Sequence, residues 1–223
     1  MTKLARLRAV DWTLSATPTR RGVRVFLLAY LGPLVLAGIC ALALLILIRI
    51  ESGPPTPERS FTSMDFLPPT SVYPADYEVI DAPSWAGPDS RGGLGDEDDA
   101  YASYKPVREA FGHISVSVYY QSHWNDAVDE YEYGLIFLTG YEPNSAINFQ
   151  SERAQQQTLV CKSEPNIDGW RWCRYIARYD EFVVDVHAAV GPDQLSVAEF
   201  ENVLQAIEER AIELLGPTPI PKP

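Results

Sequence analysis

The sequence predicts an α+β protein carried on a membrane: one N-terminal transmembrane helix, a proline-rich tether, and then a small antiparallel sheet in the order β-α-β-β-β-α with two helices on one face. Three observations predict it. Val25 to Ile48 runs for twenty-four residues without a charge, long enough for one helix to cross the roughly 30 Å hydrocarbon core of a bilayer. Nine prolines then interrupt Glu51 to Pro106. Beyond Val107, segments of period two and period 3.6 alternate over about 110 residues, enough for one modest core.

The first twenty-four residues carry Lys3, Arg6, Arg8, Arg20, Arg21 and Arg24 against Asp11, a net charge of +5, whereas Ile50 onward has eleven basic and twenty-nine acidic residues, or −18. Basic flanks stay on the cytoplasmic side, so the expected topology has residues 1–24 as a cytoplasmic leader, 25–48 as a single-pass signal anchor and the acidic remainder extracytoplasmic. A cleaved signal peptide is disfavoured, because the only Ala-x-Ala, Ala41-Leu42-Ala43, lies inside the apolar run. Ile39 before Cys40 does not suit a lipoprotein signal, and Arg24 spoils the faint twin-arginine pattern at Arg20-Arg21.

Residues 49–106 read as an acidic Pro/Gly-rich linker, since proline propagates neither a helix nor a central strand. Its apolar content, including Phe61, Phe66, Tyr73 and Trp85, exceeds a neutral spacer's, so part of it is expected to lie against the following domain or a partner. Asp96 to Asp99 lacks the ligand spacing of a calcium loop and reads as a solvated charge run.

Residues 107–216 form the expected domain. Ile114, Val116, Val118 and Tyr120 alternate with His113, Ser115, Ser117 and Tyr119, a half-buried strand. Ser122 is placed to cap a helix with the stripe Trp124, Val128, Tyr131, Leu135 and Leu138, ending near Gly140. Three strands follow at 155–163, 169–179 and 181–190. A turn at Tyr179-Asp180 would set Arg178 against Glu181, Arg174 against Asp185 and Ala177 against Phe182. The same facing puts Cys161 opposite Cys173, near enough for a disulfide in an oxidising compartment. Ser196 to Glu199 is a capping box, and Phe200, Val203, Leu204, Ile207, Ala211 and Leu214 are the buried stripe of a helix that Gly216-Pro217 ends. Residues 217–223 are a proline-rich tail.

No catalytic motif, phosphate loop or dinucleotide fingerprint is present, so no enzyme activity, catalytic residue or cofactor is assigned. The −18 outer segment disfavours nucleic acid. His113, His123 and His187 read as exposed polar positions rather than a metal site. The candidate interaction face is Trp170, Trp172, Ile176, Val183 and His187, which lie opposite the strand face that the two helices would bury. The expected function is therefore a non-catalytic extracytoplasmic domain that binds another membrane or envelope protein, as an accessory subunit of a membrane complex; the alternative is a ligand-binding or sensing domain. The expected partners are the lipid bilayer and that protein.

Overall fold

The computed structural model of the chain describes residues 20–85, 98–107, 112–143, 146–165 and 167–219. In chain order these form helix α1 (Arg20–Ser52), helix α2 (Ser63–Phe66), a single 3-10 turn (Thr70–Val72), strands β1 (Tyr77–Trp85), β2 (Ala100–Pro106) and β3 (Ile114–Tyr120), helix α3 (Trp124–Ile136), strands β4 (Glu142–Pro143), β5 (Gln156–Ser163), β6 (Arg171–Tyr179) and β7 (Phe182–Val190), and helix α4 (Val197–Leu215). Two compact units divide between Ile48 and Arg49. The basic leader before Arg20, the residues Asp96 and Glu97 of the acid run, and the last four residues of the tail lie outside the described residues.

The apolar run 25–48 lies within α1, which contains Pro33. Side chains are described for residues 32–47 of that run, and all are exposed. Among the described residues no helix is long and apolar enough to cross a membrane.

The second unit is an α+β fold on one seven-stranded antiparallel sheet, ordered β1-β2-β3-β7-β6-β5-β4. The alternation of β3 is realised from Ile114 to Val118, of which Ile114, Val116 and Val118 are fully buried, whereas Tyr119 is buried on the opposite face and Tyr120 is half-buried; the strand pairs with β7 from Ile114 opposite Ala188 to Tyr120 opposite Phe182. Helix α4 has the reciprocal Ser196/Glu199 cap and buries Phe200, Val203, Leu204, Ile207 and Ala211. These join Tyr175, Tyr179, Phe182 and Val184 in the main core on one sheet face.

Three expectations need correction. The two long helices lie on opposite faces, not one. Helix α3 packs with Tyr131 against Ile176, Val183 and Tyr119, a separate small core from the one beneath α4. The reason is in the central strand: β7 buries every residue but His187, and a strand buried on both sides needs cover on both. The helix's buried stripe is Trp124, Ala127, Tyr131 and Gly134, and its N-cap is His123 rather than Ser122.

The second correction concerns the linker. Residues 49–106 hold α2, β1 and β2, so the sheet begins within the stretch read as a tether. Phe66, Leu67 and Tyr73 are buried in the α4-side core, and Asp99, the end of the supposed solvated run, is buried and accepts a 3.1 Å hydrogen bond from the Tyr120 amide. Proline permits this because it falls where no inner ladder bond is needed: Pro83 in the edge strand β1, and Pro106 at the last position of β2.

The third is the β6–β7 register. The turn is Asp180-Glu181, with Tyr179 opposite Phe182 and Ala177 opposite Val184, two residues from the expected pairing. Asp180 takes a φ of 54°, a left-handed conformation that aspartate tolerates. A shift of two keeps every side chain on its expected face. It also leaves Arg174 and Asp185 diagonal neighbours, joined by Nε–Oδ1 and Nη2–Oδ2 contacts of 2.9 and 2.5 Å. The β5–β6 pairing places Cys161 opposite Cys173 as expected, and the two form a disulfide.

Around the Asp180-Glu181 turn lies a buried ionic network. Arg153 and Asp180 are both fully buried, in a forked pair with Nη2–Oδ2 at 2.5 Å and Nη1–Oδ1 at 3.3 Å. Arg153 Nε also donates to the Gly216 carbonyl at the end of α4, at 2.7 Å. From the arm before α2, Arg59 donates to Glu181 through Nε and Nη2, one to each carboxylate oxygen. Glu208 of α4 accepts from the Ser151 hydroxyl, the Tyr179 hydroxyl and the amides of Glu152 and Arg153. Removing one partner of such a pair strands a desolvated charge, so Arg153→Met is expected to lower the unfolding free energy by about 3 to 5 kcal/mol, read by urea denaturation of the full chain.

Candidate functional site

Of the predicted interaction face, Trp172, Ile176, Val183 and His187 lie on one side of the sheet and Trp170 precedes β6, and the five do not form one exposed patch. Ile176 and Val183 are 1% exposed, because α3 covers them. The fit is close: a Cβ on Gly134 would stand 3.1 Å from Ile176 Cδ1. Trp170 is also buried, and its indole Nε1 donates to the Pro192 carbonyl at 2.9 Å. Trp172 and His187 remain half-buried, beyond the end of α3.

These two form an aromatic cluster with His113. The Trp172 ring stacks on His187 with centroids 5.1 Å apart and an interplanar angle of 27°. His113 stands 5.5 Å from Trp172 and meets His187 edge-on at 5.8 Å. The adjacency of β3 and β7 brings the histidines together. Tyr141, in the segment that returns from α3 across the sheet, places its hydroxyl 3.3 Å from His187 Nε2. The Trp172 indole donates to Glu164 at 3.3 Å.

Next along the sheet face is the Arg174–Asp185 ion pair, with Phe137 over the guanidinium at 5.7 Å. Asp185 is thus engaged with arginine. Among the described residues no group of three or more histidine, cysteine, aspartate or glutamate side chains is placed to hold a metal ion.

A separate cavity of about 320 Å³ opens where the arm crosses the edge of the core, walled by Phe61, Tyr120 and Phe182 with Arg59 beside them. Ser63 also lines it, and its buried hydroxyl has no hydrogen-bond partner among the described residues. Sequence reading missed this cavity because the apolar content of residues 49–106 points to packing on the domain but not to where the arm lands. It also missed the outward side of α3, where Tyr133, Ile136 and Phe137 are 44, 68 and 51% exposed. Their spacing of three and four was a usable signal, overshadowed by the stronger buried stripe on the same helix.

Compared with protein-family models, with curated proteins and with solved structures, the chain matches none.

Burial holds His187 neutral, drawing it down to about 4 from an ordinary 6.5, with repulsion from His113 and Arg174 adding to the shift and Asp185 opposing it. Burial also lowers His113. The unfolded chain therefore takes up these protons at higher pH than the folded one, and the stability present above pH 6.5 is lost as pH falls toward 4. Across that window the wild-type chain is expected to lose up to about 3 kcal/mol more than His187→Gln, as measured by denaturation at each pH. Trp172→Ser, which opens the ring stack to water, is expected to bring the His187 titration back toward 6.5 in an NMR pH series.

Proposed function

We propose that this chain is a single-pass membrane protein with its basic leader in the cytoplasm and its α+β domain outside, where the domain acts as a non-catalytic module that binds another membrane or envelope protein. The role that fits this arrangement is an accessory subunit of a membrane complex. The anchor is supported by the uncharged run within α1 and by the contrast of +5 before it with −18 beyond it. In water the exposed Leu34, Leu36, Ile39, Leu42 and Leu45 would be unfavourable; in hydrocarbon they would not. The Cys161–Cys173 disulfide suits an oxidising compartment.

The observation that carries the interaction reading is the two-sided apolar character of α3. One side is spent on the sheet, and the other leaves Tyr133, Ile136 and Phe137 in solvent. Exposed clusters of this kind mark partner surfaces. The cavity beside Phe61 and Phe182 favours the second reading, a domain that binds a small ligand, since its volume is at the lower end for such sites.

The test is to recover the full-length chain from its native membrane. The expected outcome is a chain that resists alkaline extraction, loses its C-terminal domain to protease added outside the cell, and brings down one stoichiometric protein in mild detergent. A chain found in the soluble fraction would remove the anchor. A chain that purifies alone, and whose melting temperature rises with a small molecule, would replace the interaction reading with the ligand-binding one.

A further inference from the structure

Asp129, Glu132, Tyr133, Ile136 and Phe137 recur at i, i+3, i+4, i+7 and i+8, so they form one stripe along α3. All five are exposed. The stripe is graded along the helix, with carboxylates in its first part and apolar groups in its last. Tyr133 and Phe137 pack edge to face with centroids 5.1 Å apart, which gives the apolar end a defined shape. Arg174 caps Phe137 from the sheet side but is already paired with Asp185. Helix α3 itself has no lysine or arginine. The stripe therefore offers an apolar platform and an adjoining negative charge with no cation of its own helix to neutralise it.

We infer that the outer stripe of α3 is the docking surface for a basic amphipathic segment of the partner protein, with apolar side chains seated on Tyr133, Ile136 and Phe137 and lysine or arginine facing Asp129 and Glu132. This rests on the protein-interaction reading above and adds the chemistry of the partner. Charge complementarity selects the occupant. A second copy packed on the same stripe would set these carboxylates against carboxylates or against the apolar end, and in either arrangement its α3 supplies no lysine or arginine to face them. An anionic lipid surface would meet the −18 of residues 50–223. A basic amphipathic helix laid along the stripe satisfies both halves at once, its apolar side on the aromatic end and its cations on the carboxylates.

The experiment places the photoreactive residue p-benzoylphenylalanine at Ile136 in the full-length chain, in its native membrane, with the same residue at the exposed Glu209 of α4 as the control. The expected result is a cross-link at 136 and not at 209, to a peptide of another protein that combines lysine or arginine with leucine or isoleucine. Asp129→Lys with Glu132→Lys should reduce that adduct about fivefold or more, and Asp129→Asn with Glu132→Gln by less, with the melting temperature unchanged because both positions are exposed. Adducts to lipid, to a second copy of this chain or to an acidic peptide would overturn the proposal. A partner that co-purifies yet gives no adduct at 136 would overturn the docking surface while leaving the interaction reading standing. If no partner co-purifies, both fall.

Discussion

The structure of the second unit depends on the burial of Arg153 against Asp180. Moving two full charges out of water costs several kcal/mol for each, and their mutual attraction repays this only when the remaining donors and acceptors are also met. Here the requirement recruits distant parts of the chain. The β6–β7 turn supplies Asp180 and Glu181, the arm supplies Arg59, and α4 supplies Glu208 together with the Gly216 carbonyl at its end. Gln155 adds its amide to Asp180 on both sides, accepting from the Asp180 amide and donating to its carboxylate. The network specifies more than it stabilises. An apolar cluster tolerates a hairpin that slips or an arm that docks slightly elsewhere, whereas a forked guanidinium–carboxylate pair accepts one geometry. That also accounts for the hairpin register. With Asp180 held in the turn at positive φ, Tyr179 must face Phe182.

Much of the sheet was legible because its signals are local. The alternation of Ile114 to Val118, the capping box at Ser196 and the facing of Cys161 and Cys173 depend on spacing alone, and the structure realises all three. The β6–β7 pairing was legible in its faces but not in its offset. Opposite charges suggested directly facing pairs, while the Arg174–Asp185 contact is made diagonally and Arg178 turns instead to Gln156 and the Asp180 carbonyl. The first two strands were not legible. Proline density argued against a sheet, and it is the final topology that puts β1 at an edge, where Pro83 and two register shifts do no harm.

The candidate site divides along the same line. Placing Trp172, Ile176, Val183 and His187 on one side of the sheet follows from strand period alone. Which of them stays accessible does not, since that depends on where a helix outside the strands comes to rest. Once α3 covers Ile176 and Val183, the exposed apolar groups on this side belong to the helix rather than to the sheet beneath it. The histidines show the same limit. Their side was readable, but their proximity required β3 and β7 to be neighbours, a long-range fact.

That neighbourhood also decides the order of assembly. Strands β1 to β3 form one meander and β4 to β7 another, and within each meander every strand pairs with its neighbour in the chain. The β3–β7 ladder is the single seam between them, and loop closure across α3, β4, β5 and β6 must be met before it forms. On a chain made from its N-terminus, the first meander is complete while β7 is still unmade. For that interval β3 has an open hydrogen-bonding edge and an apolar face of Ile114, Val116 and Val118, the strand most open to wrong pairing. The vulnerable period of this protein is thus set by the time between synthesis of Tyr120 and synthesis of Val190, and β7, whose pairing with β3 occupies the open edge, is the element that closes it.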